Sequence, residues 1–243
     1  MKNLFLLLSL GSFSSLAQSL PVGQTGNPVV IELFTSQGCS SCPAADKNLA
    51  EIIEASEKNG QPVYGLSFHV DYWNYIGWKD PYSNAEYTER QKKYSLILNS
   101  ESVYTPQMIV NGEVEFVGSN KKESNLAVSS ARTKKMEYDV FLGVIEKKGT
   151  RILVTYSLSK IPVDIQINAA LVEKKVENEV LRGENSGRKL THRNVVRAFI
   201  SYEAKKEATI EIGFPKGLSA NSLIVFVQDR QGHILGATGT NFN

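Results

Sequence analysis

The stretch that decides the fold is Val29-Val30-Ile31-Glu32-Leu33-Phe34-Thr35-Ser36-Gln37-Gly38-Cys39-Ser40-Ser41-Cys42-Pro43. It begins as an apolar run, which is typical of a buried strand, and then enters a turn that contains Gly38. Two cysteines three positions apart follow. Pro43 suits the first turn of a helix, because its missing N–H would have no partner there. The sequence therefore predicts a strand, a turn, a Cys-x-x-Cys pair and a helix in immediate succession.

The predicted helix runs from Ala44 to about Asn59, and Gly60 suits its exit. Residues at the spacing of one helical face are expected to pack inward: Ala45, Leu49, Ile52, Ile53 and Ser56. The charged residues are expected outside: Asp46, Lys47, Glu51, Glu54 and Lys58. Cys39 then lies at or just before the helix N-terminus, where unpaired N–H groups and the helix dipole favour a thiolate.

A stabilised thiolate is a good leaving group, and it makes the corresponding disulfide more oxidising. The pair is therefore a candidate site of dithiol/disulfide exchange, with Cys39 attacking and Cys42 resolving. Cys39 and Cys42 would themselves be the redox-active group, so no separate cofactor is expected.

Two structural interpretations compete with this one. A disulfide closing so short a loop constrains the unfolded chain by only about 2 kcal/mol, against about 4.7 kcal/mol for a hundred-residue loop. Half of a zinc site is the other interpretation, but the chain has only two cysteines and the nearest histidine is His69. Both interpretations are less favoured than exchange.

Composition indicates an ordinary globular protein. The chain has 243 residues, a formal charge of +2, 42% hydrophobic and 21% charged residues. So balanced a charge gives no reason to expect nucleic acid or an anionic membrane as a partner.

The N-terminus has the pattern of a secretory signal peptide over residues 1–17. A positive Lys2, an apolar run from Leu4 to Leu10 and a small-x-small pattern at Ser15-Leu16-Ala17 precede a predicted cleavage before Gln18. An uncleaved anchor is the alternative. Export to the periplasm or the outside is expected, with no membrane-spanning segment in the mature chain. Because secreted domains usually carry several cysteines in structural disulfides, one isolated Cys-x-x-Cys favours a redox role.

The elements that follow complete an α/β domain. Pro62 to Val70 is predicted as a second strand, parallel to the first. Ser83-x-x-Glu86 predicts a capping box that opens a helix to about Leu98. Asn111-Gly112 predicts a β-hairpin whose first strand starts after Pro106. Asn120-x-x-Glu123 predicts a last helix, running to about Lys135.

This order of elements resembles the thioredoxin fold. More closely, Glu32 to Pro43, Phe68-His69-Val70-Asp71-Tyr72-Trp73 and Tyr104-Thr105-Pro106-Gln107 resemble DUF1223, a family of exported bacterial proteins in the thioredoxin-like superfamily. The resemblance implies that Pro106 is a cis-proline facing the cysteines, with Thr105 before it, where an extended substrate could bind. Gly38 and Ser40-Ser41 depart from the thioredoxin pattern, so the direction of electron flow is not inherited.

Other residues near the predicted strand ends are candidates for the site. His69 could stabilise a thiolate or take its proton, and Asp71 could orient that imidazole; a satisfied, buried histidine is the alternative. Trp73, Tyr75 and Trp78 predict a hydrophobic wall, with a substrate platform that includes Trp73 as the alternative.

From Tyr138 the pattern changes to short alternating strands, which suggests an antiparallel β-sandwich. We therefore expect a signal peptide over residues 1–17, a thioredoxin-like domain over 28–137 and a β-sandwich-like domain over 138–243. A polar insertion from Glu173 to Asn194 is interpreted as a solvated hairpin. Its alternative is a segment that closes over the redox site or binds an anionic group.

The function expected from the sequence is an exported thiol–disulfide oxidoreductase. Its partners would be protein or small-molecule thiols and disulfides, with a separate electron donor and no nucleic acid. One alternative is a copper-binding module that uses Cys39, Cys42 and His69 as soft ligands. Another is a secreted binding protein with a residual disulfide.

Overall fold

The structure is a computed structural model that describes residues 27–214, 217, 220 and 222–242. The predicted signal peptide and its cleavage point between Ala17 and Gln18 lie outside the described residues. Among the described residues, no helix is both long and apolar enough to span a bilayer.

Strands and helices are mixed in the first half, and the described elements of the second half are all strands. In chain order the elements are β1 (Val29–Thr35), α1 (Cys42–Lys58), β2 (Val63–His69), a 3-10 turn (Asn74–Ile76), α2 (Ala85–Ile97), β3 (Gln107–Val110), β4 (Val114–Val117), α3 (Lys121–Thr133), β5 (Val140–Lys148), β6 (Arg151–Leu158), β7 (Ile165–Val180), β8 (Arg188–Glu203), β9 (Glu207–Gly213), β10 (Ser222–Asp229) and β11 (Ile234–Asn241).

The described strands form a large mixed sheet and a smaller second sheet. The large one has eight strands in the order β11-β10-β7-β8-β2-β1-β3-β4, and the other has the order β5-β6-β9. β1 is parallel to β2, as the sequence predicts, and the structure also pairs it antiparallel with β3. β8 joins the large sheet beside β2, where Val195 pairs with Ser67. Strands from both sides of residue 138 therefore share one sheet.

Among the described residues, three apolar cores hold these layers together. One lies between α1, α3 and one face of β1 and β3, and includes Leu33, Leu49 and Met108. The second lies on the opposite face of the large sheet, where α2 covers Phe34 and Phe68. The third fills the space between the small sheet and strands β7 and β10. The protein is thus a mixed α/β fold with a second sheet packed on one end of the large one.

Most local predictions agree with the elements, with small shifts in their bounds. The first helix begins two residues earlier than predicted, at Cys42, with Pro43 in its first turn. The cap of α2 is Asn84, whose side chain accepts from the Glu86 N–H, so the predicted Ser83 cap is wrong. Asn120 caps α3 through the Glu123 N–H, as predicted.

The Asn111-Gly112 turn is confirmed. Asn111 has φ +50° and Gly112 has φ +68°, the left-handed conformations that such a two-residue turn requires.

The polar insertion from Glu173 to Asn194 is the outer half of a long hairpin. Strands β7 and β8 pair from Gln166–Glu203 as far as Val180–Arg188. Because β8 lies beside β2, the outer half of this hairpin extends over the edge where β1 and β2 end. We call residues 181–187 the hairpin tip.

Candidate redox site

The two cysteines lie in the turn between β1 and α1 and form a disulfide. Their Cα atoms are 5.4 Å apart. The Cys39 N–H donates to the carbonyl of Ser36 at 3.2 Å, and the Cys42 N–H donates to the carbonyl of Cys39 at 3.2 Å. Cys42 is the first residue of α1, so the disulfide is attached directly to the positive end of the helix.

The disulfide is covered in this conformation. Cys39 is 1% exposed and Cys42 is fully buried, whereas Ser40 and Ser41 between them are exposed. The Cys39 Sγ atom lies 3.3 Å from the Ser41 Oγ atom. A substrate that approaches the turn therefore contacts Ser40 and Ser41 before it contacts either sulfur atom.

The hairpin tip contacts the backbone of the cysteine turn. Asn185 is fully buried, and its Nδ2 donates to the carbonyls of Gln37 at 2.9 Å and Cys39 at 2.8 Å. Arg188 fixes the orientation of this amide by donating to Asn185 Oδ1 at 2.6 Å. The interpretation of the insertion as a solvated hairpin is wrong at the tip, because Asn185 satisfies two carbonyls of the cysteine turn.

A second contact of the tip is a hydrogen bond to a carboxylate. Glu184 Oε2 accepts a hydrogen bond from the backbone N–H of Ser40 at 2.9 Å. The hydrogen bonds from Ser40 lower the pKa of the Glu184 carboxyl below its ordinary value. The carboxylate therefore favours the closed tip in its charged form.

The aromatic segment after β2 packs against the other side of the cysteine turn. A Cβ atom at Gly38 would lie 3.1 Å from Ile76 Cδ1 and from Trp73 Cβ, so a side chain there would force these neighbours to move by a few tenths of an ångström. Trp73 Nε1 donates to Thr105 Oγ1 at 2.7 Å, which brings two of the predicted substrate-binding residues together. The Thr105–Pro106 peptide is cis, as the family resemblance implies, and Pro106 is buried. Tyr75 is 81% exposed, so it does not belong to a wall.

His69 is buried at the end of β2, but its partner is Asp80 and not Asp71. His69 Nδ1 lies 2.7 Å from Asp80 Oδ2, which also accepts from the Gln37 N–H at 2.8 Å. Burial would raise the pKa of Asp80, but His69 and the backbone N–H groups of Gln37 and Tyr82 outweigh burial and lower it. Asp71 instead accepts from Thr88 Oγ1 at 2.6 Å. Among the described residues, the hydrogen-bonded link from the His69 side chain to the cysteine turn therefore runs through Asp80, since His69 Nε2 has no hydrogen-bond partner there.

Gln37 connects the cysteine turn to the hairpin. Its Oε1 accepts from Trp78 Nε1 at 3.1 Å and from Asn178 Nδ2 at 2.9 Å. Its Nε2 donates to Asn178 Oδ1 at 2.5 Å and lies 3.2 Å from His192 Nε2. Because an indole N–H only donates, the contact with Trp78 fixes which end of the Gln37 amide is oxygen.

A carboxylate and a histidine are buried beneath the start of α1. Asp46 and His192 are both almost completely buried, and Asp46 Oδ2 lies 3.3 Å from His192 Nδ1. The prediction that Asp46 faces outward is wrong. Burial disfavours the charged imidazole, but the carboxylates of Asp46 and Asp80 outweigh burial and raise the pKa of His192.

The proposed copper ligands are not brought together. Within the described part of the chain, no group of three or more His, Cys, Asp or Glu side chains is arranged to hold a metal ion. His69 is occupied by Asp80, and both cysteines are in the disulfide. The geometry does not favour the copper-binding alternative.

Several residues of this site were not singled out from the sequence: Gln37, Asp46, Asp80, Asn178, Glu184, Asn185 and His192. One of them had a usable signal. Asp46 follows Cys42 by four positions, and this spacing places both residues on one face of a helix. Gln37 and His192 are 155 positions apart, and no local pattern predicts their contact.

Comparisons with known proteins agree with this architecture. A crystal structure of an Agrobacterium tumefaciens protein is similar to it with a TM-score of 0.67 and 26% identity, over 91% of this chain and 97% of that one. A thioredoxin from Methanocaldococcus jannaschii is 30% identical over 96 residues, which are 40% of this chain and 86% of the thioredoxin. Residues 30–228 match the model of the family described as "Protein of unknown function (DUF1223)". The chain therefore belongs to the DUF1223 family.

Proposed function

We propose that the protein is an exported thiol–disulfide oxidoreductase in which Cys39 and Cys42 exchange disulfides with thiol-bearing substrates. The observation that carries the proposal is a single Cys-x-x-Cys disulfide placed where β1 meets the N-terminus of α1. The similarity to a thioredoxin supports it, because the thioredoxin is matched over most of its own length. The order β1-α1-β2-α2-β3-β4-α3 supports a thioredoxin-like domain over residues 28–137.

Each residue has a role in the proposed exchange. The Cys39 thiolate attacks one sulfur of a substrate disulfide, the substrate bond breaks, and one substrate thiolate leaves. Cys42 then attacks Cys39 Sγ, which restores the protein disulfide and releases the second thiolate. The substrate gains the two electrons that the protein dithiol loses. Thr105, Pro106 and Trp73 form the side of the turn along which an extended substrate would lie.

The burial of Cys39 sets a condition on this chemistry. The hairpin tip contacts the backbone of the cysteine turn through Asn185 and Glu184, so it has to move before a substrate disulfide can reach Cys39 Sγ. The tip ends a hairpin whose inner strands are anchored in the large sheet. It is held to the rest of the site by the hydrogen bonds of Asn185 and Glu184 and by the position of Gly183 close to Ile76. Opening of the tip is therefore a local event that leaves the sheet intact.

The test is exchange between the reduced protein and a model disulfide. Cys39→Ser should abolish release of the first thiolate, whereas Cys42→Ser should release it and then remain as a trapped mixed disulfide. Each variant is the control for the other, because both lose the same intramolecular disulfide. An unchanged rate in Cys39→Ser would rule out the proposal.

A further inference from the structure

A cleft of about 820 Å³ opens between α2 and the large sheet. Clefts of this size are typical of binding sites for small molecules. One wall is the side of α2 that carries Arg90, Tyr94 and Ile97. The other wall is formed by β7, β8 and β10, and it includes the ring of Phe199. The residues of the cysteine turn are not part of either wall, so this cleft is separate from the candidate redox site.

A buried amide lies at the floor of this cleft. Asn168 is fully buried in β7, and neither its Oδ1 nor its Nδ2 has a hydrogen-bond partner among the described residues. It pairs with Ser201 of β8 and follows Gln166 by two positions, and both of these residues line the cleft. Residues that pair across a sheet share a face, as do residues two apart on one strand. The Asn168 side chain therefore lies on the cleft side of the sheet. Because buried amides ordinarily have partners, this one requires an explanation.

The side chains that flank Asn168 at the surface of the cleft can move aside. Gln166 and Ser201 are both exposed, and Ser201 Oγ donates to Gln166 Oε1 at 3.1 Å. A hydrogen bond between exposed groups contributes little to stability, because water replaces either partner. A ligand that displaces this bond can therefore reach the amide of Asn168.

Arg90 supplies a second polar group to the cleft. Its Nε and Nη2 atoms donate to Glu32, and Nη2 also lies 3.3 Å from Tyr94 Oη and from Gln228 Oε1. The guanidinium carbon lies 4.7 Å from the centre of the Phe199 ring. These contacts hold the guanidinium in place before a ligand binds. Nη1 makes none of these bonds, so its N–H groups remain for a ligand.

The charges along the cleft balance one another. Among the described residues, three cations and three anions line it: Arg90, Lys93, Arg230, Glu86, Glu89 and Asp229. Several of them are already in ion pairs. The cleft therefore has no excess charge that would favour an ionic ligand. The groups that distinguish it are amides, a hydroxyl and one edge of a guanidinium.

A neutral sugar has the chemistry that this surface requires. Asn168 has an acceptor oxygen and a donor NH2 group, so its partner has to accept and donate, as hydroxyl groups do. Arg90 Nη1 can donate to further hydroxyl oxygens. Phe199 and Ile97 offer apolar surface to the C–H face of a sugar ring. We propose that the cleft between α2 and the large sheet binds a neutral mono- or disaccharide through Asn168 and Arg90. This site goes beyond the proposed exchange function and does not depend on it.

The test is a titration of the isotope-labelled protein with glucose, maltose and N,N′-diacetylchitobiose, followed by NMR. At least one of these neutral sugars should saturably shift the backbone amide signals of α2 and of β7, β8 and β10 around the cleft. The absence of any saturable shift, or shifts confined to other parts of the chain, would overturn the proposal. Tighter binding of glucuronate than of every neutral sugar would overturn the assignment of a neutral ligand.

Asn168→Val tests the buried amide. The variant should bind the sugar at least about tenfold more weakly, because a ligand hydroxyl loses its partner. Its urea midpoint should be unchanged or higher, since the folded protein loses no hydrogen bond among its described residues. A lower midpoint together with unchanged binding would assign Asn168 to the fold alone and overturn its role.

A second variant tests the cleft without altering a buried residue. Ser201→Trp places a large side chain in the exposed mouth of the cleft and should abolish binding. Asn125→Val is the matched control for the asparagine change, because Asn125 is exposed on α3, and its affinity should equal that of the wild type. Exchange with a model disulfide should be unchanged in all three variants, so failure of sugar binding and failure of exchange are distinguishable. Equal affinities in the wild type, Asn168→Val and Ser201→Trp would refute the site.

Discussion

The side-chain amide of Asn185 donates to the backbone carbonyl of Cys39 at 2.8 Å, across a sequence separation of 146 residues. The same nitrogen donates to the carbonyl of Gln37 at 2.9 Å. One buried side chain from the hairpin tip therefore joins the two carbonyls that flank the entrance to the disulfide. This contact links access to the redox site with the position of the β7–β8 hairpin.

Asn185→Ala should increase the rate at which a phosphine reduces the Cys39–Cys42 disulfide. The variant removes the amide that satisfies the carbonyls of Gln37 and Cys39, and loss of partners for buried polar groups costs about 1–3 kcal/mol. A shift of 1–2 kcal/mol toward the open tip would raise the open population about 5- to 30-fold. The rate of reduction by a phosphine should rise by a similar factor.

Ser186→Ala is the control for this measurement. Ser186 lies in the same tip, but its hydroxyl donates to the carbonyl of Leu181 within the hairpin itself. Its rate of reduction should stay near that of the wild type. Equal rates in Asn185→Ala and wild type would show that the tip does not limit access to Cys39.

Access to the disulfide should also increase in acid. The contact of Glu184 with Ser40 lowers the pKa of the Glu184 carboxyl in the closed form. This contact therefore stabilises the closed tip fully above the ordinary glutamate pKa of about 4.3. This stabilisation of the closed tip is lost as the pH falls through the lowered pKa that the Glu184 carboxyl has in the closed form. Reduction by a phosphine should therefore accelerate below about pH 4.

Glu184→Gln identifies the group responsible for this effect. The amide oxygen can still accept from the Ser40 N–H, but it does not titrate in this range. The variant should show no acceleration that depends on Glu184. An acid step of the same size in Glu184→Gln would assign the effect to another group.

A buried ion pair between α2 and β1 should contribute strongly to the free energy of unfolding. Arg90 donates to Glu32 at 2.5 and 2.8 Å, and Glu32 is buried in β1. Arg90→Met would leave that carboxylate without its countercharge, which costs about 3–5 kcal/mol in comparable buried pairs. Urea denaturation should show this loss in the free energy of unfolding.

The same helix supplies a control for the ion pair. Lys92 pairs with Glu89 at 2.8 Å on the exposed side of α2. Lys92→Met should change the free energy of unfolding by no more than about 1 kcal/mol, because exposed pairs contribute little. Similar losses in Arg90→Met and Lys92→Met would contradict the distinction between them.

The local part of the site could be predicted from the sequence. The apolar run of β1, the spacing of Cys39 and Cys42 and Pro43 in the first turn of α1 all act within a few residues of one another, so they specify the strand–turn–helix junction. The cis Thr105–Pro106 bond came from the family resemblance, since sequence alone favours trans. Asp46 was misplaced because charged residues on a helix are usually exposed.

The rest of the site depends on contacts that local patterns do not encode. Gln37, Asn178 and His192 meet only because β8 pairs beside β2, and this pairing joins strands more than a hundred residues apart. The insertion looked like a solvated hairpin because its residues are polar. The structure uses that polarity to satisfy the backbone of the cysteine turn, as Asn185 does for Cys39.

The reduction potential of the Cys39–Cys42 pair is the most direct test of the whole account. The protein is equilibrated in glutathione buffers of graded potential, its thiols are alkylated, and the oxidised fraction is read by mass spectrometry. A working exchange couple should titrate above about −300 mV. A pair that stays oxidised in every buffer, with a reduction potential below that value, would be a structural disulfide and would contradict the account.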